Sequence, residues 1–214
     1  MKNQFLRMTF GLVLLSATSV ESQTLGIVGG LNFSSIKGDA PEKITYGRIT
    51  RLTLGGMAEI RLAEDVQLRG ELVYTQRGTR IGQEIEGQQE PAFDSTLLLS
   101  YVSMPLLVKV SSSSGRMYAI SGLELGFLTS ATLEQEGLPD TDVKDQLLST
   151  DLAVNFGVGG MLHSGQPGVG LELRYSQSLL NLGANVETFD SIPVRFRSSG
   201  FQLLASVFWT LGGD

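Results

Sequence analysis

His163 is the one histidine of the chain and stands beside Ser164, so this pairing is the first to weigh for nucleophilic chemistry. A serine hydrolase needs an imidazole that reaches the hydroxyl and an acid that orients the ring. Adjacent residues in a tight turn rarely achieve this, and residues 163–168 (HSGQPG) have the composition of a short connection. No catalytic residue is assigned on this basis. Acidic side chains gather at Glu84, Glu86, Glu90 and Asp94, and again at Glu134, Glu136, Asp140, Asp142 and Asp145. Oxygen-rich segments can hold Ca²⁺, yet the spacing of a calcium-binding loop is absent, and a solvated surface accounts for the charge. A single histidine without cysteine cannot build a zinc site, and the glycines form no phosphate-binding loop. The expectation is no metal and no cofactor.

A third set of ionisable residues is spaced in another way. Glu59, Arg61, Arg69, Glu71, Lys109, Glu124, Glu172 and Arg174 stand among apolar residues at intervals of two, with Asp151 in similar company. On an extended chain, such spacing places the charges on one face and the apolar side chains on the other. The chemistry expected of this set is mutual ion pairing, provided the face that carries it is enclosed.

The elements that would position these residues follow from the same alternation. Leu25, Ile27, Gly29, Leu31 and Phe33 share a face in a first segment. Seven more segments run at about 50–63, 66–78, 95–110, 116–130, 150–162, 168–180 and 199–211, giving eight strands. Their connections alternate in length. Residues 63–65, 111–115 (SSSSG) and 163–167 are short, whereas 37–49, 79–94, 131–149 and 183–197 are long. Tight turns at one end and long loops at the other, with an even strand number, are the habit of barrels in a bacterial outer membrane.

The start of the chain agrees with export. Lys2 and Arg7 precede an apolar run from Met8 to Val20, and Val20 and Ser22 are small enough for the −3 and −1 positions of a cleavage site. Glu21 ends the run too early for a spanning helix, which needs roughly 20 apolar residues. Residues 1–22 are therefore expected to be a signal peptide and 23–214 a single barrel domain. Loss of Lys2, Arg7 and Glu21 with that leader takes the formal charge from −6 to −7. An acidic exported chain has no electrostatic footprint for nucleic acid. With no cysteine, stability must come from strand pairing and packing.

Alternation alone does not say which medium touches the apolar face. In a soluble sandwich or a lipocalin-like barrel that binds an apolar ligand, that face is internal. In a membrane barrel it meets lipid and the charges are enclosed. The export signal, the alternating loops and the many small residues at inward positions favour lipid. Closure is then required, because unpaired strand edges are excluded from hydrocarbon. With eight strands the bore is filled by side chains, so passive porin activity is not expected. Tyr46, Tyr74, Tyr118, Tyr175 and Trp209 are candidates for interfacial girdles, whereas Tyr101 lies on the inward face.

The strands GIVGGLNFSSIKGD, GELVYTQRGTRI and YVSMPLLVKV, with GLELGF and GVGGMLHSGQPGVGLELRYSQSLLNLG after them, together resemble the PorT-like outer-membrane β-barrel proteins. The most specific piece runs from Tyr101 to Lys109 (Tyr-x-x-x-Pro-Leu-Leu-x-Lys) and comes after a strand with Tyr74 and Gly78. The resemblance spans nearly the whole mature chain. It implies an all-β fold, an eight-stranded antiparallel up-and-down transmembrane barrel of OmpA/OmpX type in the outer membrane. Most members of that family have no assigned activity; the expectation adopted for this chain is a non-enzymatic structural or binding role, with the long loops outside the cell. Expected partners are outer-membrane lipid, the barrel-assembly machinery during biogenesis and an unidentified extracellular partner; the barrel itself is expected to be a monomer. One departure from the usual pattern is that Phe208 and Trp209 precede a Thr-Leu-Gly-Gly-Asp tail, so the terminal aromatic read by that machinery is internal or degenerate.

Overall fold

The structure, a computed structural model, describes residues 23–38, 44–83, 92–135, 137–183 and 196–211. The expected signal peptide and the acidic residues Glu84, Glu86, Glu90 and Glu136 lie outside them. The described chain is extended almost throughout: β1 (Gln23–Gly38), β2 (Ile44–Gly47), β3 (Ile49–Arg61), β4 (Val66–Gln83), β5 (Ala92–Ser111), β6 (Met117–Gln135), β7 (Thr141–Asp142), β8 (Thr150–His163), β9 (Gly168–Ser178) and β10 (Phe196–Leu211). A single 3₁₀ turn, Lys144–Gln146, interrupts the strands.

Every long strand pairs antiparallel with its neighbours, and the ring closes because β1 pairs with both β3 and β10. The circuit runs β1, β3, β4, β5, β6, β8, β9, β10 and back to β1. The two short strands are additions at the long-loop end, β2 against the end of β4 and β7 against β6. Three tight turns close the other end. In the serine turn, Gly115 donates to the Ser112 carbonyl at 2.7 Å with φ +66°, a left-handed conformation that glycine adopts without penalty.

Alternation becomes an inside and an outside. Leu25, Ile27, Leu52, Leu54, Leu72, Leu106, Leu123, Phe156, Val158 and Leu173 point outward and are each about half exposed. Glu59, Glu71, Lys109, Glu124, Glu172 and Arg174 point inward and are buried. This is the reverse of a lipocalin-like arrangement, which requires the apolar face around the bore. Phe201 and Tyr175 stack at 5.1 Å on the outer wall, and Tyr74 and Trp209 are exposed there too. Tyr118 does not join them. It stands at an inward position of β6, 6% exposed, and belongs to the interior.

Three long strands outrun the sequence reading. β4, β5 and β6 have 18, 20 and 19 residues, well beyond the 9–11 that cross a bilayer. Parts of the expected loops at 79–94 and 131–149 are therefore strand. Two bulges explain why the alternation does not show it. The β4–β5 register slips between Ile81 and Gly82, and the β5–β6 register slips opposite Ser100 and Tyr101. The extra residue, Thr129 in the second case, inverts the parity of the rest of its strand, so Leu128 and Ala131 both face inward.

Candidate functional site in the barrel interior

The inward face divides into three zones along the axis. Nearest the tight turns is an open polar cavity of about 440 Å³, lined by Thr24, Glu59, Arg61, Lys109, Tyr118 and the Ser111–Gly115 turn among others. Arg61 sits at its rim, exposed at the last position of β3, and forms no ion pair among the described residues. Its expected place in the charge network is therefore corrected. Parity is right, but the strand ends before the side chain is enclosed, and water solvates the guanidinium.

Above the cavity lies the first ionic layer. Arg69 and Glu59 are directly opposite on β4 and β3, and the Arg69 Nε donates to Glu59 Oε1 at 2.6 Å. Lys109 Nζ donates to both oxygens of the same carboxylate at 3.0 and 3.1 Å. Arg69 Nη1 then crosses the bore to Glu172 Oε2 at 2.7 Å. From β9, Arg174 returns the crossing with a bidentate pair to Glu71, at 2.7 and 2.8 Å, and its Nε donates to Glu172 at 2.8 Å. β4 and β9 are four strands apart in the ring of eight, so these bridges span its diameter. Tyr118 caps the layer. Its hydroxyl donates to Glu172 at 3.1 Å, and Lys109 Nζ stands 4.7 Å from its ring centre. Three carboxylates face three cations, each multiply bonded, which is the condition under which buried charge is tolerated.

The second layer is one that sequence reading missed in part. Arg77 is paired with Glu124 and donates to Asp151 Oδ2 at 3.1 Å, with its guanidinium over the Tyr101 ring at 5.4 Å. Asn155 Nδ2 donates to the other Glu124 oxygen at 2.9 Å, and the Ser178 hydroxyl is bonded to Asp151. Arg77 has the same parity in β4 as Arg69 and Glu71, a signal that would have placed it with them.

The third zone, toward the long loops, is apolar. Ile36, Leu97, Leu99, Tyr101, Leu128 and Ala131 converge on Leu147 and Leu182, which two connections fold into the bore. A backbone bond from Leu148 N to the Leu182 carbonyl, 3.0 Å, ties those connections together. The expectation of a bore filled by ionic side chains is thus too simple. Smaller apolar groups, Val28, Met57, Val73 and Leu204 in one cluster and Leu107 and Ile120 in another, also pack between the charges.

His163 and Ser164 lie exposed at the tight-turn end, and no hydrogen bond links them among the described residues. No three histidine, aspartate or glutamate side chains among the described residues are grouped as a metal site.

With this geometry in view, comparison with known proteins gives three findings. A family model described as outer membrane protein beta-barrel domain matches residues 21–183. No curated protein sequence matches the chain. Similar solved structures include the attachment invasion locus protein Ail of Yersinia pestis, 13% identical, covering 88% of this chain and 99% of its own, TM-score 0.46. They also include OprG of Pseudomonas aeruginosa, 10% identical, covering 91% and 97%, TM-score 0.43. Neisserial surface protein A is 13% identical, covering 87% and 96%, TM-score 0.46.

Proposed function

Because the chain belongs to the outer membrane protein beta-barrel domain family and resides in the bacterial outer membrane, we propose that it is a non-enzymatic barrel. Its interior is structural, and its long loops or its open turn-end cavity make the contacts. The observation that carries this reading is the filling of the bore. Among the described residues, two ionic layers and an apolar plug succeed one another along the axis. The ionisable side chains of the bore are taken up mainly in pairing with each other across it. Among the described residues, His163 is bonded neither to Ser164 nor to an acid of the kind that orients the ring in hydrolysis. We further place the chain with the PorT-like barrels, on the Tyr101–Lys109 stretch, and read residues 1–22 as its export leader. Its partners on this reading are outer-membrane lipid, the assembly machinery while it inserts, and an extracellular partner met by the loops, with one copy forming the barrel.

The test is electrical. Protein refolded into planar bilayers should give no steady conductance, and liposomes that carry it should retain a small dye. Stable unitary currents, or dye efflux at the rate of a porin, would overturn the filled-bore reading. Hydrolysis of a lipid ester by the same preparation, lost on Ser164→Ala, would overturn the non-enzymatic one.

A further inference from the structure

The two ionic layers differ in their charge count. Among the described residues, five buried carboxylates (Glu59, Glu71, Glu124, Asp151 and Glu172) face four buried cations (Arg69, Arg77, Lys109 and Arg174), none more than 6% exposed. The layer nearer the turns is balanced. The excess therefore falls on Glu124 and Asp151, which share Arg77 alone. A net charge enclosed by a low-dielectric wall is strongly unfavourable unless something neutralises it. Both carboxylates already accept on both oxygens: Glu124 from Arg77 and Asn155, Asp151 from Arg77 and Ser178. That pattern leaves further lone pairs free on both groups.

Unpartnered oxygens stand around the same pair. The side-chain oxygens Asn155 Oδ1 and Ser176 Oγ are buried and lack a hydrogen-bond partner, and the buried Ser103 hydroxyl lies against Glu124. Asn155 and Ser176 are opposite one another on β8 and β9, and Asn155 Nδ2 donates to Glu124, so its free Oδ1 stands beside that carboxylate. On the other side, Ser103 faces Gly126, where the absent side chain lets three groups draw together: a Cβ there would be 3.2 Å from Ser103 Oγ, 3.3 Å from the Tyr101 ring and 3.8 Å from the Asp151 Cβ.

We propose that this layer binds one monovalent metal cation of Na⁺ type, drawn to Glu124 and Asp151 and held by the free oxygens of Asn155 and Ser176, with the Ser103 hydroxyl beside Glu124. A hard cation takes oxygen ligands, and a single positive charge closes the deficit. The bound ion completes the second layer as Lys109 completes the first. It fastens β5, β6, β8 and β9 from within.

The test uses the refolded barrel in detergent, with thermal unfolding followed by heat-modifiable gel mobility. NaCl is titrated against choline chloride at constant ionic strength, and ²³Na line width is measured in parallel. Wild type should unfold several degrees higher in Na⁺ than in choline, by linkage to binding, and should broaden the ²³Na signal. Glu124→Gln removes the excess charge, so this variant should lose both the Na⁺ response and the broadening while still shifting mobility on boiling. Should it fail to fold, Asp151→Asn serves the same purpose, and the wild-type titration decides by itself. Equal unfolding temperatures in Na⁺ and choline overturn the proposal. So does a wild-type stability gained on acidification and indifferent to Na⁺, which would mean that a proton neutralises the pair.

Discussion

Arg174 holds the first ionic layer together, with Glu71 gripped by both terminal nitrogens and Glu172 by Nε. Replacing it by methionine fills similar volume but leaves Glu71 in the bore without its bonded cation and Glu172 with Arg69 alone. Breaking a buried pair from one side costs about 3–5 kcal/mol, far more than a surface ion pair contributes. Arg174→Met is therefore expected to lower the urea midpoint of the refolded barrel, read from the fraction that keeps fast gel mobility. Adding Glu71→Gln to the same chain should recover part of the loss, because the uncompensated charge goes with it and Glu59 and Glu172 remain matched by Arg69 and Lys109. An unchanged midpoint for the single variant would mean that water reaches the layer freely.

At the scale of strands, the close approaches of the wall decide what each position tolerates. A Cβ on Gly55 would lie 2.1 Å from the Leu72 carbonyl oxygen and 2.8 Å from the Val73 side chain, whereas one on Gly70 meets nothing within 4 Å. Gly55→Val should prevent closure of the barrel, while Gly70→Val, which adds apolar surface to the outer wall, should fold normally. Equal folding yields would refute the packing read from β3 and β4. The loop-end plug makes a second test. Leu147 and Leu182 are 6% and 1% exposed although connections carry them. Truncating a buried leucine costs about 2–5 kcal/mol. Leu182→Ala should accordingly lower the urea midpoint and open the long-loop end to added protease, and intact resistance would show that the plug contributes little.

The molecule as a whole is a core turned outside in. Its outward leucines and valines face acyl chains while ion pairs and a smaller apolar plug share the centre, an arrangement stable only while hydrocarbon surrounds it. Leu72 is 58% exposed at mid-wall and Leu138 is 61% exposed in the connection after β6. Similar exposure hides different surroundings. Leu72→Arg should lower stability in lipid by about 2–4 kcal/mol, the penalty for a cation near the midplane of a barrel's outer face. Leu138→Arg should be nearly neutral. Equal effects of the two, measured by unfolding from the same vesicles, would argue that no lipid lies against Leu72.

The order of residues by itself determined the parity of each strand, the tight turns, and hence the two faces. Glu59, Arg69, Glu71, Lys109, Glu124, Glu172 and Arg174 were legible as one inward set because a two-residue period needs no knowledge of the partner strand. Which cation meets which carboxylate was not legible. Ring closure brings β4 opposite β9, and only then do residues 103 positions apart, such as Arg69 and Glu172, come within bonding distance. The bulge at Thr129, the enclosure of Tyr118, the solvation of Arg61 at a strand end and the folding of Leu147 and Leu182 into the bore were likewise tertiary decisions. Each depends on where a neighbouring strand stops or slips, and local periodicity carries no record of that.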